Sequence, residues 1–202
     1  MKVELQPMFP QEEVDPQNYY YYNTGFSPEE LDKVYRDVAD LAFFKASTGM
    51  EDAPAEKEIR SSSIKWIPKT ERWQWLYEKL FAMAVEANNS LWHFDLFTAL
   101  DCIQYTEYYA TEGGHYNWHQ DIGPGPMSKR KVSITVQLSD TDEYEGGDLE
   151  LFKGGNPDNA DKAPRGKGVV FIFPSYMMHR VTPVTKGTRR SFVLWVGGTH
   201  YR

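Results

Sequence analysis

His119-Gln120-Asp121 sets an imidazole and a carboxylate two residues apart. On an extended strand, side chains at i and i+2 leave the backbone on one face. This pair can therefore grip one edge of a metal ion while Gln120 points away. Alone the pattern is weak, because a turn (Gly-Pro-Gly-Pro at 123–126) follows at once and a solvated turn is the competing reading. The chain has five histidines, at 93, 115, 119, 179 and 200. His179 stands just beyond the apolar run Phe171-Ile172-Phe173-Pro174, where a core histidine beside Tyr176 is the competing reading. Two imidazoles and one carboxylate form a facial set that leaves positions on Fe(II) open for a co-substrate and dioxygen. The expected metal ligands, and the catalytic centre, are His119, Asp121 and His179.

Ten residues past His179 a strand opens at Arg189. The period of two puts Arg189, Ser191, Val193 and Trp195 on one face and Arg190, Phe192, Leu194 and Val196 on the other. The second face is apolar beyond Arg190 and suits a core. The first begins with a cation and a hydroxyl, which suits a cavity that captures a carboxylate through paired guanidinium hydrogen bonds. A surface arginine at a strand start is the simpler alternative.

Taken together, His119-x-Asp121, His179 after Phe173-Pro174, and Arg189 ten residues on resemble the 2-oxoglutarate-dependent oxygenases, above all the prolyl 4-hydroxylase branch. Tyr116 after Gly113-Gly114 fits. So do Tyr144-Glu145-Gly146-Gly147-Asp148-Leu149 and His179-Arg180-Val181-Thr182-Pro183-Val184. The resemblance covers roughly residues 100–198. It implies Fe(II) on the three ligands and Arg189 on the distal carboxylate of 2-oxoglutarate. Tyr109 would assist that carboxylate, with Tyr105 and Tyr108 as its competitors. Ser191, Thr135 and Gln137 would line the co-substrate cavity, and Trp195 would reach the substrate. The implied reaction hydroxylates a C–H bond and releases succinate and CO2, with ascorbate as reductant.

The resemblance points first to a prolyl residue in a peptide or protein. A small-molecule or free amino acid hydroxylase with the same site is the alternative, and a non-catalytic jelly-roll binding module is a third reading. A nucleobase-repair enzyme would need a basic groove. The net charge of −7 disfavours nucleic acid and anionic membrane surfaces alike. Because the three ligands must be unprotonated to bind, iron affinity is expected to weaken as pH falls below the histidine range.

What must position these residues is a single domain, since 202 residues are enough for one core and short for two. From residue 91 onward, short β-rich runs at 91–97, 101–110, 131–138, 148–152, 168–173 and 189–196 alternate with glycine-rich turns. That rhythm predicts a jelly roll, a cupin-like double-stranded β-helix, over 91–202. Residues 1–90 form a helical support region, giving an α+β class. Ser27, Pro28 and Glu30 form a capping box for a helix ending near 45–49, and Thr70 caps a second helix running to about 88 or 89. Residues 49–63 read as a loop, and with 123–131 and 154–168 they are the candidate substrate lids. One cysteine, Cys102, excludes an internal disulfide. No apolar run is long enough to span a bilayer, and no apolar h-region opens the sequence, so a cytoplasmic location is expected.

Overall fold

The computed structural model describes residues 18–46 and 56–200. In chain order the elements are strand β1 (Tyr20–Tyr22), helix α1 (Pro28–Ala39), β2 (Phe44–Lys45), α2 (Glu56–Ile59), β3 (Arg60–Ser61), β4 (Ser63–Ile67), α3 (Glu71–Leu91), β5 (Leu96–Ala99) and β6 (Ile103–Tyr109). They continue as β7 (His115–His119), β8 (Arg130–Gln137), β9 (Tyr144–Gly146), β10 (Leu149–Leu151), β11 (Asp161–Lys162), β12 (Val170–Pro174), β13 (His179–Val181) and β14 (Val184–Gly198).

Two antiparallel sheets result. The larger runs β1-β12-β8-β14-β6-β4-β2, with β5 and β9 also pairing with β14; the smaller runs β11-β10-β13-β7-β3. From β6 on, the chain passes between the sheets in turn: β6 larger, β7 smaller, β8 larger, β10 and β11 smaller, β12 larger, β13 smaller, β14 larger. This winding is the double-stranded β-helix, so the fold is the α+β jelly roll that the turn rhythm implies.

Strand alternation splits the buried residues into two sets. Val132, Ile134 and Val136 of β8, Phe192, Leu194 and Val196 of β14, and Val170 and Ile172 of β12 pack under α1 and α3. Helix α3 contributes Trp73, Leu76, Leu80, Ala84 and Ala87 to the same layer, and each fully buried leucine there contributes about 1.5–3 kcal/mol. The opposite residues of these strands and of β6 line the space between the sheets. They include Phe171, Phe173 and Tyr108, but also Ser133, Thr135, Gln137, Arg189 and Ser191, all buried. A jelly-roll interior this polar is built to hold something other than its own core.

Several boundaries differ from the sequence reading for identifiable reasons. The capping box at Ser27 forms as expected, with Ser27 Oγ accepting from the Glu30 amide and Glu30 accepting from the Ser27 amide. Helix α1 then stops at Ala39, because Phe44 and Lys45 are recruited to pair with β4. Thr70 precedes α3 but makes no side-chain cap. The helix runs on to Leu91 because Asn88 is no terminator. Its side chain is buried, donates to the Phe94 carbonyl and accepts from the Phe94 amide, while its own carbonyl takes the His93 amide. His93 at φ 55° turns the chain out, which delays the strand expected at 91–97 to Leu96. Within 49–63, residues 49–55 lie outside the described set; the rest holds α2, β3 and the start of β4 rather than loop alone. The reading of residues 1–17 also lies outside it. Among the described residues no helix is long and apolar enough to cross a membrane.

Candidate functional site

His119 ends β7 and His179 begins β13, and the two are register partners across the smaller sheet. Their ring centroids are 4.1 Å apart. Each ring uses Nδ1 on a carbonyl two residues earlier: His119 on Asn117 at 2.7 Å and His179 on Met177 at 2.9 Å. Those bonds place the proton on Nδ1 and leave both Nε2 lone pairs for another partner.

Asp121 is the partner of both. Its Oδ1 lies 3.9 Å from His119 Nε2 and its Oδ2 lies 3.6 Å from His179 Nε2. The reason differs from the i, i+2 strand argument. The strand ends at His119, and Asp121 lies in the bend beyond it, held by its amide donating to the Ser175 carbonyl at 3.0 Å. Ser133 Oγ donates to Asp121 Oδ2 at 2.6 Å and also contacts Ser175 Oγ at 2.9 Å. The buried Trp195 indole Nε1–H faces Asp121 and helps hold its carboxyl ionised.

Burial and the neighbouring His179 hold the His119 imidazole down to a pKa of about 3. Burial pushes the Asp121 carboxyl up, but the two imidazoles and the Ser133 hydroxyl outweigh it and keep the pKa below the ordinary value. At neutral pH the group is thus a neutral imidazole and an ionised carboxylate, the protonation states a metal requires. Three donor atoms within 4.8 Å of one another, at spacings too long for hydrogen bonds, fit a shared divalent cation. Two nitrogens and one oxygen on one side are the donor set suited to Fe(II) with open positions. Tyr116 stacks on His119 at 3.5 Å, and the buried Arg60 guanidinium lies over Tyr116 at 4.6 Å, so the His119 ring is braced from behind.

A second feature lies further along the inner face of β8. Arg189 is 2% exposed, yet among the described residues no carboxylate pairs with it. Its hydrogen bond goes to Ser191 Oγ at 3.2 Å, and its guanidinium lies 5.4 Å from the Tyr108 ring. A buried guanidinium without an anion is costly, so the arrangement asks for an anionic ligand. Thr135, Gln137, Tyr144, Gly147 and Phe171 line the cavity beside it. Gln137 Nε2 donates to the Tyr144 hydroxyl at 2.9 Å. Ser191 is the register partner of Gln137, and Trp195 that of Ser133, so one face of β8 and β14 connects the Arg189 cavity to Asp121.

Of the residues expected from sequence, the structure brings His119, Asp121 and His179 together, and groups Arg189, Ser191, Thr135 and Gln137. Trp195 falls at the Asp121 end, under the Arg130 guanidinium at 3.9 Å. Tyr109 falls elsewhere. Arg189 pairs in register with Tyr108, and Tyr109 projects from the other face, where its hydroxyl donates to Glu107. The adjacent Tyr108 takes the place expected for it. Ser133 and Ser175 escaped the sequence reading, although Ser133 shares the alternating face of Thr135 and Gln137. Arg60, which is buried, and Arg165, which lines the cavity, carry no local signal that marks them. Trp118, adjacent to His119, packs on the outer face of the smaller sheet against Phe152 and Arg180.

Comparison with known proteins agrees with this geometry. Residues 103–197 match the family described as the 2OG-Fe(II) oxygenase superfamily. A PKHD-type hydroxylase of Synechococcus sp. (strain CC9605) is 38% identical over 87 residues, 43% of this chain and 38% of that protein. One from Xylella fastidiosa (strain 9a5c) is 39% identical over 95 residues, 42% of this chain and 40% of that protein. The chain thus spans about two fifths of the length of the curated relatives it matches. Among solved structures, a Trichoplax adhaerens prolyl hydroxylase in complex with a hypoxia inducible factor peptide fragment superposes with a TM-score of 0.72. It has 18% identity, over 90% of this chain and 84% of that one. A Pseudomonas putida prolyl-4-hydroxylase gives 0.64 and 20%, over 90% and 93%. The topology and these superpositions together define a double-stranded β-helix. The segment 103–197, which matches the 2OG-Fe(II) oxygenase superfamily, carries the three ligand candidates and Arg189, and the curated relatives it resembles are PKHD-type hydroxylases.

Proposed function

We propose that this protein is an Fe(II)- and 2-oxoglutarate-dependent dioxygenase that hydroxylates a prolyl residue in a peptide or protein, releasing succinate and CO2. The observation that carries this reading is the pairing of two features on one inner face: an N,N,O donor set and a buried guanidinium without an anion. His119, Asp121 and His179 hold the iron. Arg189 and Ser191 take the distal carboxylate of the co-substrate, with Tyr108 beneath the guanidinium and Thr135 and Gln137 along its length. Trp195 stands at the iron end, toward the substrate. When bound, the iron supplies open positions for co-substrate and dioxygen and the oxidising power of the reaction.

The protein's share is placement. Nδ1 bonds fix both imidazoles, Ser133 fixes the carboxylate, and the interior between the sheets excludes water. Helices α1 and α3 brace the larger sheet, so the described residues before 91 serve one domain with the jelly roll rather than a separate one. Ascorbate serves as the reductant that restores Fe(II). The peptide substrate rests on likeness to prolyl hydroxylases, one of them described with a bound peptide fragment.

The test is spectroscopic first. Anaerobic protein with Fe(II) and 2-oxoglutarate should show the weak visible charge-transfer band of the chelate. His179→Ala should abolish metal binding, and Arg189→Ala should weaken 2-oxoglutarate with iron retained. A band that survives His179→Ala refutes the ligand set. Mass spectrometry of a proline-containing peptide panel then tests the substrate. Turnover of 2-oxoglutarate with no peptide gaining one oxygen would favour a free amino acid or other small molecule on the same site.

A further inference from the structure

We infer that Arg165 is a second anion-binding residue of the co-substrate cavity and sets its selectivity for a diacid. This inference rests on the reading of Arg189 as the carboxylate anchor and goes beyond it. Arg165 lies in the segment between β11 and β12 and lines the same cavity as Arg189. Two guanidinium groups therefore border that cavity, and no carboxylate is among its lining residues. Such a lining selects for negative charge rather than merely accepting it.

The way Arg165 is held argues for a role toward a ligand. Its NH1 pairs with Asp148 Oδ1 at 3.1 Å, and its NH2 donates to the Tyr144 carbonyl at 3.0 Å. The guanidinium plane lies over the Tyr144 ring, 4.3 Å from the centroid. Tyr144 is fixed from the other side by Gln137, so the stack is rigid. Each terminal nitrogen makes one of these bonds, whereas Nε is buried and has no hydrogen-bond partner. Buried N–H groups of charged side chains are nearly always satisfied, and leaving one open is costly. The side chain as a whole is 32% exposed, so Arg165 stands between the cavity and solvent. Arg189 is deeper, at 2%. A ligand carboxylate held by Arg189 would satisfy the open Nε–H of Arg165 from the same cavity. A 2-oxo acid without a distal carboxylate would gain nothing from it.

Binding, not turnover, tests this. Titrate 2-oxoglutarate into anaerobic Mn(II)-loaded protein by calorimetry, and 2-oxobutyrate as the acid that lacks the distal carboxylate. Arg165→Gln should raise the Kd for 2-oxoglutarate about tenfold, the worth of one charge-assisted hydrogen bond, and leave 2-oxobutyrate within twofold. Arg165→Lys keeps a cation for Asp148 but loses the fork, and should weaken 2-oxoglutarate at least threefold. Asp148→Asn leaves the guanidinium in place and should not weaken the diacid. Wild-type affinity for 2-oxoglutarate in both Arg165 variants overturns the inference. So does an equal loss for both acids in Arg165→Gln and Asp148→Asn, which would mark Arg165 as a structural tie. If instead Arg189→Gln leaves 2-oxoglutarate binding intact, the anchor reading itself fails, and the result is distinguishable from failure of Arg165 alone.

Discussion

His119 and His179 face each other as register partners across β7 and β13, and each is pinned by the same device, an Nδ1 bond to the carbonyl two residues earlier. The smaller sheet therefore presents two Nε2 lone pairs on one side without a side-chain partner of its own. Asp121 completes the set from the bend after β7, not from the strand. The local tautomer choice and the bend after β7 thus converge on one small volume.

The buried His119 makes the metal-free protein acid-sensitive. In an unfolded chain a histidine takes a proton near pH 6.5. In the folded protein burial and His179 hold His119 at about 3. Between these values the unfolded state binds more protons, so stability falls as pH is lowered, by up to about 1.4 kcal/mol per pH unit for this one group. Thermal unfolding of chelator-treated protein from pH 6.5 to 5.0 should show a falling midpoint. His119→Asn should flatten the slope, and an equally steep slope in that variant would contradict the assignment.

Ser133 holds the Asp121 carboxylate, donating to its Oδ2 at 2.6 Å while touching Ser175. Removing the hydroxyl leaves Asp121 with greater rotational freedom in a buried site. Ser133→Ala should weaken Fe(II) or Mn(II) binding by about 10–100-fold, the usual effect of losing a group that orients a metal ligand. Metal titration followed by tryptophan quenching measures it. The fold should survive, because serine and alanine differ by one atom.

Legibility from sequence followed the range of the interactions. The period of two exposed the polar inner face of β14, and with it Arg189 and Ser191, because alternation is a local property. Capping at Ser27 was legible for the same reason. The exit of α3 was not, because Asn88 acts there through a buried side chain on Phe94. Arg60 and Arg165 were invisible because their placement depends on sheet pairing and on partners 44 and 17 residues away. The tyrosine assignment failed by one position, since counting back from His119 carries no information on which face a residue takes; pairing with β14 decides that.

Tyr108 and Tyr109 separate cleanly by experiment. Tyr108 is buried under Arg189, whereas Tyr109 bonds Glu107 on the opposite face. Tyr108→Ala removes the aromatic surface beneath the guanidinium and should raise the Kd for 2-oxoglutarate by roughly tenfold, given about 1–2 kcal/mol for a partly desolvated cation–π contact. Tyr109→Phe should leave that Kd unchanged within twofold and cost about 1 kcal/mol of stability through the lost Glu107 bond. Calorimetric titration of both variants checks this, and a larger effect at Tyr109 would restore the counting argument.

Gly147 offers the sharpest test of how the cavity is shaped. It sits at φ +63°, a conformation that costs an L-residue about 1–2 kcal/mol. A Cβ there would lie 2.9 Å from Val184 Cγ2 and 3.0 Å from Arg189 Cδ. Gly147→Ala must therefore push on the Arg189 side chain itself. Gly155, at φ +72° with nothing within 4 Å of its added Cβ, carries the backbone strain alone. Both alanine variants should lower the melting temperature by a few degrees, since each loses on the order of 1 kcal/mol. Only Gly147→Ala should weaken 2-oxoglutarate, by tenfold or more, with metal binding retained because the three ligands lie at the other end of β8. Equal co-substrate affinity in the two variants would mean that Arg189 can yield without loss. The close approach of Gly147 would then serve the turn between β9 and β10 and not the guanidinium behind it.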